Sequence, residues 1–350
     1  MTDFLFARAG SLLRASGASE RFPDVRDAVA ATRAGTPLIV GALPFDPHEP
    51  AALAAPQTWS RDTALRSGEL PAVRVAGQTP SPQEHVARVR KLLGLIADGT
   101  VAKVVAARSV HLTASTPIDP EVLLARLMER HPSTNGFVVP VDGTVLVGAS
   151  PELLVARHGR AVTLRPLAGT APRRADPAAD RAAADSLLAS VKNHVEHAFV
   201  VAWIRERMAP LCIRLDVPES PVLVATPQVW HLASPVTGVL RDPATTALEV
   251  ALALHPTPAV CGTPTDAALE AIRTSEEGRG FYGGAVGWCD GDGDGEWVVA
   301  IRCADVSADG LAVTAWAGGG IVAGSDPVDE LDETTAKLGT LCGALGVRLS

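Results

Sequence analysis

Ala285-Val-Gly-Trp-Cys289, Glu296-Trp-Val-Val-Ala-Ile-Arg-Cys-Ala304 and Leu311-Ala-Val-Thr-Ala-Trp316 are three apolar runs, rich in Val and Trp, that succeed one another across short polar turns. Such runs read as consecutive β-strands. Asp290-Gly-Asp-Gly-Asp-Gly-Glu296, between the first two, resembles the start of a calcium loop, but such a loop needs a bidentate Glu at about its twelfth position, where Ile301 stands. It reads as a solvated hairpin turn. Upstream, 136–141 and 144–148 make a hairpin turned at Asp142-Gly143, and Val101-Ala-Lys-Val-Val-Ala-Ala-Arg108 reads as a buried strand. Helical spacing marks 83–98, 120–130, 180–208 and the closing segment 327–345, the 180–208 helix placing Leu187, Leu188, Val191, Val195, Ala198 and Ala202 along one face. Strands in runs, interrupted by a few long helices, give an α+β fold and not a regular βαβ repeat.

The chain has 350 residues, 47% hydrophobic and 20% charged, with a formal net charge of −8. That length supports an ample core without staples and excludes disorder as the dominant state. The acidic balance lacks the footprint of a nucleic-acid binder, gives no attraction to anionic lipid, and predicts poor long-range steering of an anionic substrate. Five cysteines, Cys212, Cys261, Cys289, Cys303 and Cys342, include no C-x-x-C pair and read as reduced, mostly buried thiols. The start, Met-Thr-Asp-Phe-Leu-Phe-Ala-Arg, has no signal-peptide pattern, and no apolar stretch reaches membrane-spanning length. The expectation is a soluble, cytoplasmic protein.

Gly318-Gly319-Gly320 follows a strand but opens no helix, and neither G-x-G-x-x-G with its helix nor a P-loop occurs. Close backbone packing is one reading of these glycines; backbone N–H groups lining an anion site is the favoured one. Glu330 and Glu333 share one face of the closing helix, with Lys337 a turn further on, and Asn193 and Glu196 have the same spacing on the 180–208 helix. Solvated surface charge is the ordinary meaning of such pairs. If the two helices meet, the carboxylates form an all-oxygen set suited to Mg²⁺. Lys103 sits inside an apolar strand: it is either a functional base, its pKa lowered by burial, or an edge lysine with its ammonium in water. Glu152, ending another apolar strand, is a general acid with a raised pKa or a carboxylate satisfying nearby backbone N–H groups.

These residues fall in blocks. Lys103-Val-Val-Ala-Ala-Arg108, Gly148-Ala-Ser-Pro-Glu-Leu-Leu154, Pro166-Leu-Ala-Gly-Thr-Ala-Pro-Arg173, Lys192-Asn-His-Val-Glu-His197, His231-Leu-Ala-Ser-Pro-Val-Thr-Gly238, Leu254-His-Pro-Thr-Pro-Ala-Val-Cys-Gly-Thr-Pro264, Gly280-Phe-Tyr-Gly-Gly284, Ile301-Arg302 and Ala317-Gly-Gly-Gly-Ile-Val-Ala-Gly-Ser-Asp326 with Glu330, Glu333 and Lys337 resemble, in order and spacing, the chorismate-utilising enzymes. The matches run from 83 to 345; residues 1–82 resemble the family's variable N-terminal portion only loosely. The resemblance implies one large α+β domain over 1–350, with an extensive, mostly antiparallel β core, outer helices and an active site in the cleft between two halves. It further implies Mg²⁺ on Glu196 and Glu333, with Glu330 acting through metal-bound water. Asn193 departs from the family's usual Asp or Glu, which removes a charge there. Substrate contacts carried over by position are Gly169, Thr170, His231, Ala259, Tyr282, Arg302, Gly318 and Lys337, with Arg302 and Tyr282 on the enolpyruvyl carboxylate.

Within the family, Lys103 matches the base that activates water and Glu152 the acid for the leaving hydroxyl. Ammonia-using members have Gln at the position of Lys103, aminodeoxychorismate synthases have a Lys nucleophile at that of Ala168, and salicylate synthases have Thr at that of Ala259. The resemblance is therefore closest to siderophore-type isochorismate synthases, isomerases that convert chorismate reversibly to isochorismate. A salicylate synthase that goes on to eliminate pyruvate is one alternative, and a catalytically inactive chorismate-binding protein is another. No glutamine amidotransferase subunit is expected, and a monomer is. Arg302, Lys103, Lys337 and a bound Mg²⁺ would reverse the sign of the acidic chain inside the cleft.

Overall fold

The stretch from 285 to 322 folds into four strands, not three: Ala285–Asp290, Gly295–Val299, Cys303–Ser307 and Ala312–Val322. The expected strand 296–304 breaks because Arg302 takes φ +52°, a left-handed conformation that interrupts the pleat. The break carries the chain from one sheet into another. Gly295–Val299 lies in a nine-stranded sheet ordered Cys212–Asp216, Val236–Leu240, Ala161–Arg165, Leu153–His158, Gly295–Val299, Ala285–Asp290, Leu38–Leu43, Ala52–Ala55, Glu20–Phe22. Cys303–Ser307 lies in a ten-stranded sheet ordered Gly262–Thr263, Lys103–Ala114, Ala312–Val322, Cys303–Ser307, Thr144–Ser150, Asn135–Val141, Phe4–Arg8, Ser11–Ser16, Thr58–Asp62, with Val73–Thr79 also on Lys103–Ala114. Leu167–Pro172, Val229–Ala233 and Val222–Ala225 form a small third sheet, and every strand pair among the described residues is antiparallel. The computed structural model describes residues 2–62, 64–225 and 229–349, apart from the side chains at 62 and 170.

The two large sheets face each other across Phe4, Phe6, Leu13, Val40, Phe137, Leu146, Val286 and Val298. The outer face of the ten-stranded sheet is covered by the helices Pro120–Arg130 and Pro327–Ala344 through Leu123, Leu124, Leu127, Leu338 and Leu341. Helices Val191–Met208 and Ala247–Leu254 pack through Val200, Ile204, Leu248 and Leu254 against the nine-stranded sheet. Each such side chain contributes about 1.5–3 kcal/mol by leaving water. The α+β fold with its antiparallel core and outer helices is as expected. Strands from residues 1–82 enter both large sheets.

The expected helix 180–208 is two helices, Pro177–Ala189 and Val191–Met208. Ser190 is extended and its hydroxyl accepts the Asn193 N–H, so it ends one helix and caps the next. The second helix turns His197, Val200, Ile204 and Met208 inward, leaving Val191 and Val195 exposed. The Asp290–Gly295 turn is a hairpin whose acids are consumed locally: Asp290 accepts the Asp292 and Asp294 N–H groups, and Asp294 pairs with Arg157. All five cysteines are free and buried. Among the described residues no helix is long and apolar enough to cross a membrane.

Candidate active site

Between the small sheet, the strand Ala312–Val322 and the helices Val191–Met208 and Pro327–Ala344 lies a cleft lined by Glu152, Gly169, Glu196, His231, Ala259, Tyr282, Arg302, Gly318, Glu333 and Lys337. Lys103 reaches it from beneath: it is 1% exposed, and its Nζ lies 3.0 Å from Glu196 Oε1. The strand Lys103–Ala114 is flanked by Ala312–Val322 and Gly262–Thr263, so the alternative of an edge lysine reaching water does not hold. The side chain of Thr170 lies outside the described residues.

The glycine run is part of the strand Ala312–Val322. On one face, a Cβ at Gly318 would lie 2.9 Å from the Tyr282 hydroxyl, and one at Gly320 would lie 2.1 Å from Glu196 Oε1; on the other, one at Gly319 would lie 2.8 Å from Glu330 Oε2. Close approach by polar side chains, not turn-making, is what requires glycine there. Beyond Ala315 this strand no longer pairs with Cys303–Ser307. Opposite Gly318, Ala107 donates its N–H to Glu276, while Gly318 O accepts from Lys337 Nζ at 2.8 Å. Both backbone groups of Gly318 therefore point at the open edge, since a strand residue aims its N–H and C=O the same way.

Glu152 follows the strand Thr144–Ser150 and is buried, its backbone N–H on Ser150 Oγ. Burial pushes its carboxyl up to about 7, against the Leu167 N–H and the charges of Lys103 and Lys337. His231 donates from Nδ1 to Gly169 O at 3.0 Å, and burial, then Arg302, pushes it down to about 4, so the ring is neutral. Gly169 takes φ +60° and would meet Asn193 and Leu187 with any side chain. The half-buried Arg302 bonds Thr340 Oγ1 at 3.2 Å and Lys337 O at 3.5 Å, with no carboxylate among its bonded partners in the described residues.

The three acids expected to hold a metal each lean on a lysine. Besides the Lys103–Glu196 pair, Lys192 Nζ lies 2.5 Å from Glu330 Oε1, and Lys337 Nζ lies 2.7 Å from Glu333 Oε1. Among the described residues no group of three His, Cys, Asp or Glu side chains stands ready-made around a metal. The residues nonetheless fit one. Burial alone would lower Lys192, but Glu330, Glu333 and Glu196 together overcome it and hold it above its ordinary value; the ammonium marks a point where all three carboxylates favour a cation. Among the described residues no hydrogen-bond partner reaches the buried Glu330 Oε2. Such hard oxygen donors suit Mg²⁺.

Sequence reasoning missed Lys192, which it read only as part of a block, and Trp316, which lines the cleft and stacks on Tyr282. Lys192 stands one residue before the acidic spacing, a signal that could have been used. Nothing in the sequence marks Trp316 beyond its place two residues before the glycine run.

An antiparallel fold of this kind around a cleft of acids, lysines and one half-buried arginine has a known counterpart. Residues 33–346 match the family described as chorismate binding enzyme, and the chain belongs to that family. It is 46% identical over 325 residues to isochorismate synthase DhbC of Bacillus subtilis, covering 89% of this chain and 81% of that protein. To isochorismate synthase EntC of Escherichia coli it is 40% identical over 322 residues, covering 89% and 82%. Among solved structures it is similar to MenF, the menaquinone-specific isochorismate synthase from Escherichia coli, with a TM-score of 0.86 and 25% identity over 98% of this chain and 88% of that one.

Proposed function

We propose that the chain is an isochorismate synthase, a Mg²⁺-dependent isomerase that adds water at C2 of chorismate and releases the C4 hydroxyl. The observation that carries this reading is Glu152, a cleft carboxyl held near 7 by burial, with the buried Lys103 paired to Glu196 of the same cleft and its charge felt at Glu152. Lys103 Nζ takes a proton from the attacking water. The ring double bonds shift toward C4, and Glu152 gives its proton to the departing hydroxyl, which leaves as water. One water enters and one leaves, and exchange with solvent returns Lys103 and Glu152 to their starting states. Arg302, the Tyr282 hydroxyl and the Gly318 N–H receive the enolpyruvyl carboxylate, while Gly169, His231, Ala259 and Lys337 line the remaining contacts. Glu196 and Glu333, with Glu330 behind, would hold the Mg²⁺, which neutralises the ring carboxylate when bound.

The small Ala168 leaves no amine nucleophile in the turn, and Ala259 is not the Thr of salicylate synthases. A monomer working in the cytoplasm without an amidotransferase subunit, and a siderophore pathway downstream, complete the proposal. Incubating the purified protein with chorismate and Mg²⁺ and separating the products is the test: isochorismate is expected. Salicylate plus pyruvate as main products would instead make it a salicylate synthase, and saturable binding without turnover an inactive binder.

A further inference from the structure

Tyr282 is the chain's one tyrosine. Its ring lies on that of Trp316, centroids 5.6 Å apart and planes 13° from parallel, and its hydroxyl is pressed against Gly318. Trp316 and Gly318 are two apart on one strand and face the same way, so the indole is a platform beside the spot the hydroxyl must reach. The indole is fixed in turn: Trp316 Nε1–H donates to Asp305 Oδ2 at 2.9 Å. Asp305 is paired in register with Thr314, which makes Trp316 its diagonal neighbour on the adjacent strand, within reach of a large ring.

Asp305 is an odd residue for this place. It is half-buried on the sheet face that borders the second cavity, partial burial pushes its carboxyl up, and the Trp316 bond is the one interaction that opposes the shift; no cation is paired with it among the described residues. A desolvated carboxylate without a cation weakens a fold, and an apolar residue there would strengthen it. What the acid supplies is direction, because a charge-assisted bond holds the indole in one orientation. The Trp316 ring also separates two spaces, the reaction cleft and a second cavity bordered by Asp305, His111 and Thr314. A free indole could swing into that second space.

We infer that Trp316, oriented by Asp305, is a positioning residue that holds the Tyr282 hydroxyl over Gly318 to receive a substrate carboxylate. The inference rests on the proposed function for the identity of the substrate, but the placement of Tyr282 can be read without it. Four variants separate the parts: Asp305→Asn keeps an acceptor for the indole N–H, Asp305→Val removes it, Trp316→Phe keeps a ring without the N–H, and Trp316→Ala removes the platform.

In steady-state assays with chorismate and Mg²⁺, Asp305→Val and Trp316→Ala are expected to raise KM about tenfold, the loss of roughly one well-aimed hydrogen bond, with kcat within about twofold of the parent. Asp305→Asn is expected near the parent and Trp316→Phe between the two groups. In parallel, tetranitromethane nitration of the sole tyrosine, followed by mass spectrometry, is expected to be slow in the parent and in Asp305→Asn and faster in Asp305→Val and Trp316→Ala. Parental KM and parental nitration rate in Asp305→Val and Trp316→Phe would overturn the inference, as would a fall in kcat with KM unchanged. A parent protein that neither binds nor converts chorismate would defeat the proposed function alone, since the nitration rates would still report whether Asp305 and Trp316 hold Tyr282.

Discussion

Lys103 and Glu196 meet as an ion pair 3.0 Å long against the backbone of Gly320, where an added methyl would stand 2.1 Å from the Glu196 oxygen and 2.9 Å from Lys103 Cε. The proposed base and a proposed metal ligand thus share one contact, and the glycine is the space they share.

Gly320→Ala is therefore expected to fold and to lose at least about a hundredfold in kcat/KM, since displacing catalytic groups by an ångström has effects of that size. The backbone at Gly320 is not left-handed, so alanine brings no strain of its own. Gly94, inside the helix Pro82–Ala97 with open space around it, is the contrasting position: Gly94→Ala should stabilise by about 0.5–1 kcal/mol and leave kinetics alone. Thermal melts and steady-state kinetics on both variants check this; an active Gly320→Ala enzyme would mean that the pair is not part of the machinery.

Glu152 ties activity and stability to the same proton. As the acid it must be protonated, so the rate of the forward reaction should fall as pH rises through about 7. Folded, it holds its proton up to about 7, and unfolded, only to its ordinary 4.5. The fold therefore loses stability as pH rises between those values, by about 3 kcal/mol over the whole window. Glu152→Gln has no charge to desolvate: its melting temperature should match the parent's at pH 5 and exceed it at pH 8, while turnover is abolished. A difference in melting temperature that does not grow with pH would place the Glu152 carboxyl at its ordinary value.

Much of this was legible in advance, and the exceptions share a cause. Periodicity found the hairpin at Asp142-Gly143 and the closing helix because local pattern fixes both. It ran a single strand through 296–304, since nothing in Ile301-Arg302-Cys303 marks a residue that changes sheets and takes a left-handed turn. It likewise joined two helices across Ser190, whose role as a cap depends on where Val191–Met208 packs. Lys103 was ambiguous until the neighbours of its strand were known, because burial belongs to the sheet and not to the run of residues. The partners of Trp316 lie on other segments, one of them on a strand that the sequence reading had merged with its neighbour.

Lys192 supplies the positive charge that the three carboxylates favour before a metal arrives, so it and Mg²⁺ compete for the same acids. Lys192→Met should lower the melting temperature of the metal-free protein, by leaving Glu330 buried and unpaired, and should raise the affinity for Mg²⁺ about tenfold. The parent should be stabilised by Mg²⁺ by mass action, and Glu333→Gln should blunt that response. Calorimetric titration with MgCl₂ and melts across its concentration check all three without any turnover. Weaker Mg²⁺ binding in Lys192→Met would make the lysine a helper of the site and not its placeholder.

Arg302 brings together the fold and the proposed chemistry, because the left-handed turn that ends one strand also sets the guanidinium in the cleft. A side chain in that conformation costs of order 1–3 kcal/mol, and a half-buried guanidinium bonded, among the described residues, only to a hydroxyl and a carbonyl is a second, smaller burden. Neither is repaid within the described residues, which is what a group waiting for an anionic ligand looks like. Arg302→Gly relieves both, so its melting temperature should rise above the parent's while KM for chorismate rises more than about tenfold, a charge-assisted contact being lost. Arg302→Lys, keeping the charge but not the fork, should recover only part of the binding and none of the stability. A melting temperature of Arg302→Gly below the parent's would show that the guanidinium holds the two sheets together, and the substrate carboxylate would then need another partner.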